Sequence, residues 1–166
     1  KIGCQKESLI TLNQIHSNNV LFFKNKNDIK NKLPGDGIVT KIKNIGICIL
    51  TADCAPILLY EPNQKIIGCI HSGWKGAING VIKNTVNKFK ELNSNIDELI
   101  AVVGPCIKKE NYEVKDDFYN KFTEQNSEYK NFFNKINENK YIFDLRSFVN
   151  KEISVTGIKN IENIEK

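Results

Sequence analysis

A chain of 166 residues, 40% hydrophobic and 26% charged, carries enough apolar side chain to bury a core, which excludes disordered and fibrous classes. The longest apolar-rich run, Ile45 to Tyr60, is broken by Thr51, Asp53 and Pro56, so no stretch reaches the roughly 18–20 apolar residues of a membrane span. The net charge of +5 comes from scattered lysines and one arginine, Arg146, without the clustered basic face of a nucleic-acid binder.

In chain order, Leu9 to Val20 opens with a short alternating apolar segment, and Lys24 to Lys32 is polar enough for a loop. Gly37 to Leu50 alternates around β-branched residues and predicts a strand. Pro56–Tyr60 and Lys65–His71 predict two more strands, and Glu61-Pro62-Asn63-Gln64 between them is a turn sequence with proline at its second position, so the pair should form a hairpin. From Gly76 the period becomes helical, with Ile78, Val81, Ile82, Val86 and Phe89 on one face of a helix running to near Leu92. Glu98–Val103 predicts an apolar strand ending at Gly104-Pro105, and Val114–Glu138 a helix. Tyr141–Phe143 predicts a short strand, followed by a helix capped by Asp144 and closed near Thr156 before Gly157. Ile161–Lys166 stops about where a further strand should begin. Strands and helices mix without strict alternation, which favours an α/β or α+β layering of mixed sheets and helices in a single domain over residues 1–166.

The residues able to do chemistry are few. The chain has two histidines, His16 at the end of an extended segment and His71 at a strand-to-helix turn. Five cysteines with no CxxC pair suit free or metal-bound thiols in a reducing compartment, so the cytoplasm is the expected location. Cys4, Cys48 and Cys106 read as small buried apolar residues. Cys54 lies where an apolar strand stops at Thr51-Ala52-Asp53-Cys54 before Pro56. A His16/Cys54/His71 set would leave a tetrahedral zinc one open position for water or substrate. Cys69, two residues before His71, competes for the ligand role, and Asp53 is a candidate proton carrier or ligand-orienting carboxylate. Gly73 and Gly76, with Lys75 between them, shape a turn into a helix where free N–H groups could take an anion; packing is the equal alternative. Trp74 reads first as core, and Asp36 in Pro34-Gly35-Asp36-Gly37 as a turn residue.

The series QIHS, GDGIVT, TADCAPILLY, HSGWKGAING, GPCIKKENYEV and FDLRSF, spanning Gln14 to Phe148, resembles the YfiH-type family, formerly called laccase-domain or polyphenol oxidase proteins and now regarded as purine nucleoside phosphorylases. The resemblance implies a layered α/β fold and a zinc or copper held by His16, Cys54 and His71. It also implies phosphorolysis of adenosine, inosine and methylthioadenosine, adenosine deamination, and purine nucleosides and phosphate as partners of a monomer or homodimer. On this reading phosphate sits near Gly73, Lys75 and Gly76. Lys75 stands where the family usually has arginine and Ser17 where it usually has glycine. The family's Thr-Arg-x-Gly-Gly start and its Cys-Thr and Ser-Tyr-Arg-Arg end are not found in this chain, which also lacks methionine, so Lys1 is not read as a translational start.

Two further readings use the same residues: a thiol hydrolase or deamidase with Cys54 as nucleophile and His71 as base, or a non-catalytic zinc domain with Cys69 closing the coordination shell. A multicopper oxidase is excluded by count, since its clustered coppers need many more than two histidines.

Overall fold

The structure, a computed structural model, describes residues 8–25, 28 and 32–164; Cys4 lies outside them. Its elements run β1 (Leu9–Thr11), β2 (Val20–Phe23), β3 (Gly37–Thr40), β4 (Gly46–Cys48), β5 (Ala55–Glu61), β6 (Ile66–Ser72), α1 (Trp74–Ile78), α2 (Val81–Glu91), β7 (Ile100–Val103), β8 (Glu113–Lys115), α3 (Asp116–Gln125), β9 (Phe133–Asn137), β10 (Lys140–Phe143), α4 (Leu145–Val155) and β11 (Asn160–Asn163). This is the mixed α/β layering expected. The central sheet has six strands in the order β11-β7-β5-β6-β3-β2, parallel at its two ends and antiparallel between.

Alternation along the central strands sorts their side chains into two layers. Val39, Ile57, Leu59, Ile70, Ala101 and Val103 join the main core with Val81, Ile82, Val86 and Phe89 of α2 and Phe148, Val149 and Ile153 of α4. Each fully buried aliphatic or aromatic side chain there is worth about 1.5–3 kcal/mol of transfer free energy. Ile38 and Cys69 face the other way and pack with Ile10, Leu12 and Phe23, beneath the small parallel pair β1–β4. The third sheet, β8-β10-β9, closes the main core with an aromatic cluster in which Phe118 and Phe122 stack at 4.9 Å and Trp74 leans on Phe118 at 4.9 Å.

The hairpin and the last helix fall where the sequence puts them. Buried Glu61 accepts from the backbone N–H groups of Asn63 and Gln64, which fixes the β5–β6 turn. Asp144 accepts from Ser147 N, and Gly157 closes the end of α4 at φ 101°.

Other boundaries differ for local reasons. The long strand expected over Gly37–Leu50 breaks at Asn44, whose φ of 58° turns the chain so that β4 joins a different sheet from β3. The helix expected from Gly76 to Leu92 is two helices, because Gly80 sits at φ 88°, a left-handed conformation that interrupts the turn. The helix expected over Val114–Glu138 survives only as α3. Val114 pairs into a sheet before it, and beyond it a 3-10 segment, Ser127–Phe132, delivers Phe133 into a hairpin with β10. The strand expected beyond the end of the chain lies within it: β11 pairs in parallel with β7. β2, four residues ending at Phe23 just before the polar Lys24 region, has no alternation long enough to announce it.

Candidate metal centre

Three strand ends converge at one end of the central sheet. Pro56 pairs with His71, and Gly37 with Ile70, so the residues just before β5 and β3, Cys54 and Asp36, are brought beside the end of β6. The loop from Asn13 to Asn19 crosses the same end, tied down where Asp36 N and Gly37 N donate to Asn19 O.

The ligand atoms of His16, Cys54 and His71 all lie within 4.8 Å of one another, the one such group of three found among the described residues. Cys54 Sγ is 3.8 Å from His16 Nε2, close to the roughly 3.5 Å edge of a tetrahedron with ligand bonds of about 2.0–2.3 Å. The imidazole rings meet edge to face at 4.7 Å. Gly73 keeps the centre open, because a Cβ there would stand 2.7 Å from Cys54 Sγ and 3.1 Å from His16 Cδ2. A borderline-soft donor set of two imidazoles and a thiolate, with that space beside it, suits zinc or copper.

Asp36 is not the simple turn residue its neighbours suggested. It is fully buried, and its Oδ1 accepts from His71 Nδ1 at 2.8 Å and from His16 N at 3.0 Å. Oδ2 takes Ser17 N at 2.6 Å, Ser17 Oγ at 2.7 Å and Ile15 N at 3.3 Å. Burial raises this carboxyl, but the bonds from His71, Ser17 and Ile15 outweigh it and hold the group below its ordinary value. Ionised Asp36 takes the Nδ1 proton of His71 as a hydrogen bond and so leaves Nε2 as the free ligand nitrogen. The same carboxylate stabilises His16 at φ 55°. That backbone strain costs about 1–3 kcal/mol, and charge-assisted bonds worth roughly 1.5–3 kcal/mol each offset it.

The Cys54 thiol is pushed up by burial and by the charges of Asp53 and Asp36, so it needs a neighbouring cation to become a thiolate. Asp53 itself is exposed, and its carbonyl accepts from Ile107 N at 2.9 Å. Cys69 is fully buried in the apolar layer under β1 and β4, its thiol pushed up to about 12 by burial, and it does not join the three-residue group. Gly76 packs against the loop, since a Cβ there would come within 2.9 Å of Ser17 O, while Lys75 is exposed on the short helix α1. Cys48 and Cys106 are half-buried, and all four described cysteines are free thiols. Among the described residues, no helix is long and apolar enough to cross a membrane.

A family model described as multi-copper polyphenol oxidoreductase laccase matches residues 1–166. The chain belongs to this family, the one its motif series resembles. It is 41% identical over 160 residues to a purine nucleoside phosphorylase of Rickettsia prowazekii, a match covering 95% of this chain and 65% of that protein. Among solved structures, the hypothetical protein YfiH of Bacillus licheniformis matches with a TM-score of 0.90 at 24% identity, over 98% of this chain and 65% of that one, a likeness of fold alone. A Neisseria meningitidis protein matches with a TM-score of 0.83 at 26% identity, over 93% and 62% of the two chains. This family member thus spans just under two thirds of the length of those relatives.

Proposed function

We propose that this chain carries the metal centre of a purine nucleoside phosphorylase, which splits adenosine, inosine or methylthioadenosine into free base and the pentose 1-phosphate, with adenosine deamination as a second activity. The observation that carries the reading is the open His16/Cys54/His71 group beside Gly73, in a chain 41% identical to a protein named for that activity.

A bound zinc or copper would supply an electrophile at the open position. The protein's own part is positional. Asp36 fixes the tautomer of His71 and the conformation of His16, Cys54 contributes the anionic ligand, and the Gly73–Gly76 turn with Lys75 borders the approach of the nucleoside. In phosphorolysis a phosphate oxygen forms a bond to ribose C1′ while the C1′–N9 bond breaks; its electron pair leaves with the purine, which takes up a proton. In deamination water adds at the purine carbon bearing the amino group, and ammonia leaves. Asp53, exposed one residue before Cys54, would exchange those protons with solvent. The free state of the four described cysteines agrees with a cytoplasmic location.

The competing thiol hydrolase needs Cys54 as an activated thiolate. Its thiol is instead pushed up by burial and by the charges of Asp53 and Asp36. Metal content together with adenosine turnover separates the readings. About one metal ion per chain, with adenine and ribose 1-phosphate formed only when phosphate is present, is the expected result. Metal-free protein that hydrolyses substrate through an alkylatable Cys54 would overturn it.

A further inference from the structure

The segment that follows β7 is joined to the Cys54 strand end by two backbone bonds, Gly104 N to Pro56 O at 2.8 Å and Ile107 N to Asp53 O at 2.9 Å. The same segment lines a cavity of about 580 Å³, whose wall includes Cys106, Lys108, Lys109, Glu110 and, from the start of α4, Asp144 and Arg146. That volume lies in the usual range for small-molecule sites of about 300–1,000 Å³.

The charges of this cavity are arranged unevenly. Arg146 is half-buried and anchored by neutral acceptors, with Nη2 donating to Gly104 O at 3.2 Å and Nη1 to Asn163 Oδ1 at 3.2 Å. None of Arg146, Lys108 and Lys109 forms an ion pair among the described residues. Of the two carboxylates, Asp144 has its oxygens occupied by Ser147 N and Ser147 Oγ, both at 2.9 Å, and Glu110 is exposed. A half-buried guanidinium has five N–H donors, and a fixed one lacking a carboxylate is suited to a tetrahedral oxyanion.

We propose that this cavity is the phosphate subsite, with Arg146 as its fixed donor and Lys108 and Lys109 as mobile cations, and that phosphate enters the reaction from the β7–α4 side of the Cys54 strand end. The proposal rests on the phosphorolysis reading and refines where its anion binds. The Gly73–Gly76 turn offers one exposed cation, Lys75, on a helix of only five residues, and Gly76 is pressed against the Ser17 carbonyl. The cavity offers three cations and room for the pentose phosphate that the reaction forms. Glu110, at its rim, is an acceptor for ribose hydroxyls.

The test is titration of inorganic phosphate into the full chain, followed by ³¹P line broadening, for wild type, Lys108→Ala/Lys109→Ala, Arg146→Gln and Lys75→Ala. The two lysines are exposed and their side chains form no hydrogen bond or ion pair among the described residues, so the double variant should keep its unfolding midpoint while phosphate affinity falls tenfold or more. Arg146→Gln should weaken binding similarly, and Lys75→Ala by less than twofold. In turnover assays the double variant should raise KM for phosphate and leave KM for the nucleoside unchanged. Phosphate binding that is absent from wild type, or lost in Lys75→Ala and retained in the double variant, overturns the subsite. Because this titration needs no turnover, phosphate binding at Arg146 in a protein that releases no base would remove the phosphorolysis reading and leave an anion site standing.

Discussion

His71 closes a strand paired on both sides and is 4% exposed, whereas His16 lies on an exposed loop in a left-handed conformation. The first gets its position from the sheet ladder, which extends to a bond from His71 N to Asp36 O at 2.8 Å. The second has no ladder at its own position; Gln14 and Asn19 tie the two ends of its loop, and between them a buried carboxylate gathers the N–H groups of Ile15, His16 and Ser17. Because Asp36 also holds the His71 ring, the strand-held and the loop-held histidine are set by one residue. A site assembled this way is preorganised without the loop needing a core of its own.

The largest effect is expected at the carboxylate the two histidines share. Asp36→Asn removes the charge on which both histidines depend, and the charge-assisted hydrogen bonds it weakens are worth roughly 1.5–3 kcal/mol each. Zinc affinity should drop about 100-fold, the upper end for a group behind the ligands. Thermal unfolding and competitive zinc titration check both. If the His16 loop were held independently, affinity would fall while loop amide exchange stayed as in wild type.

Gly73→Ala tests the space beside the candidate centre while leaving Asp36 and the β6 ladder in place. The new Cβ would stand 2.7 Å from Cys54 Sγ. Metal stoichiometry should fall well below one per chain, with an unfolding midpoint within about 4 °C of wild type, or roughly 1 kcal/mol. A full complement of metal in this variant would mean that the centre lies elsewhere. The smallest effect is expected at Cys69, which shares a strand with His71 but faces the apolar layer. Cys69→Ala should leave metal content unchanged and cost about 1 kcal/mol, as small buried truncations do.

What the sequence disclosed follows from the range of its signals. The β5–β6 hairpin and the helix after Asp144 were legible because Pro62 and Asp144 act within a few residues. The helix break at Gly80 and the strand break at Asn44 each depend on one left-handed residue inside an otherwise regular pattern, which periodicity alone passes over. The aromatic run after Phe118 matched helical spacing, yet Phe133 was drawn into a hairpin by pairing with Phe143. At the site, His16, Cys54 and His71 stood out because the chain has so few such residues, and the structure brings the three together. Asp36 did not stand out, since its partners lie 19 to 35 residues away. Its only local sign was an acidic residue set between two glycines directly before a fully buried strand. Asp53 drew attention by adjacency to Cys54, but its exposure leaves the orienting position to Asp36.

The most direct test of the central claim, that two differently supported histidines and Cys54 form one metal centre, is the metal stoichiometry of purified wild type and Cys54→Ala. About one zinc or copper per chain is expected in wild type and its loss in the variant, with the fold retained. Equal metal in both proteins, or none in wild type after zinc loading, would contradict it.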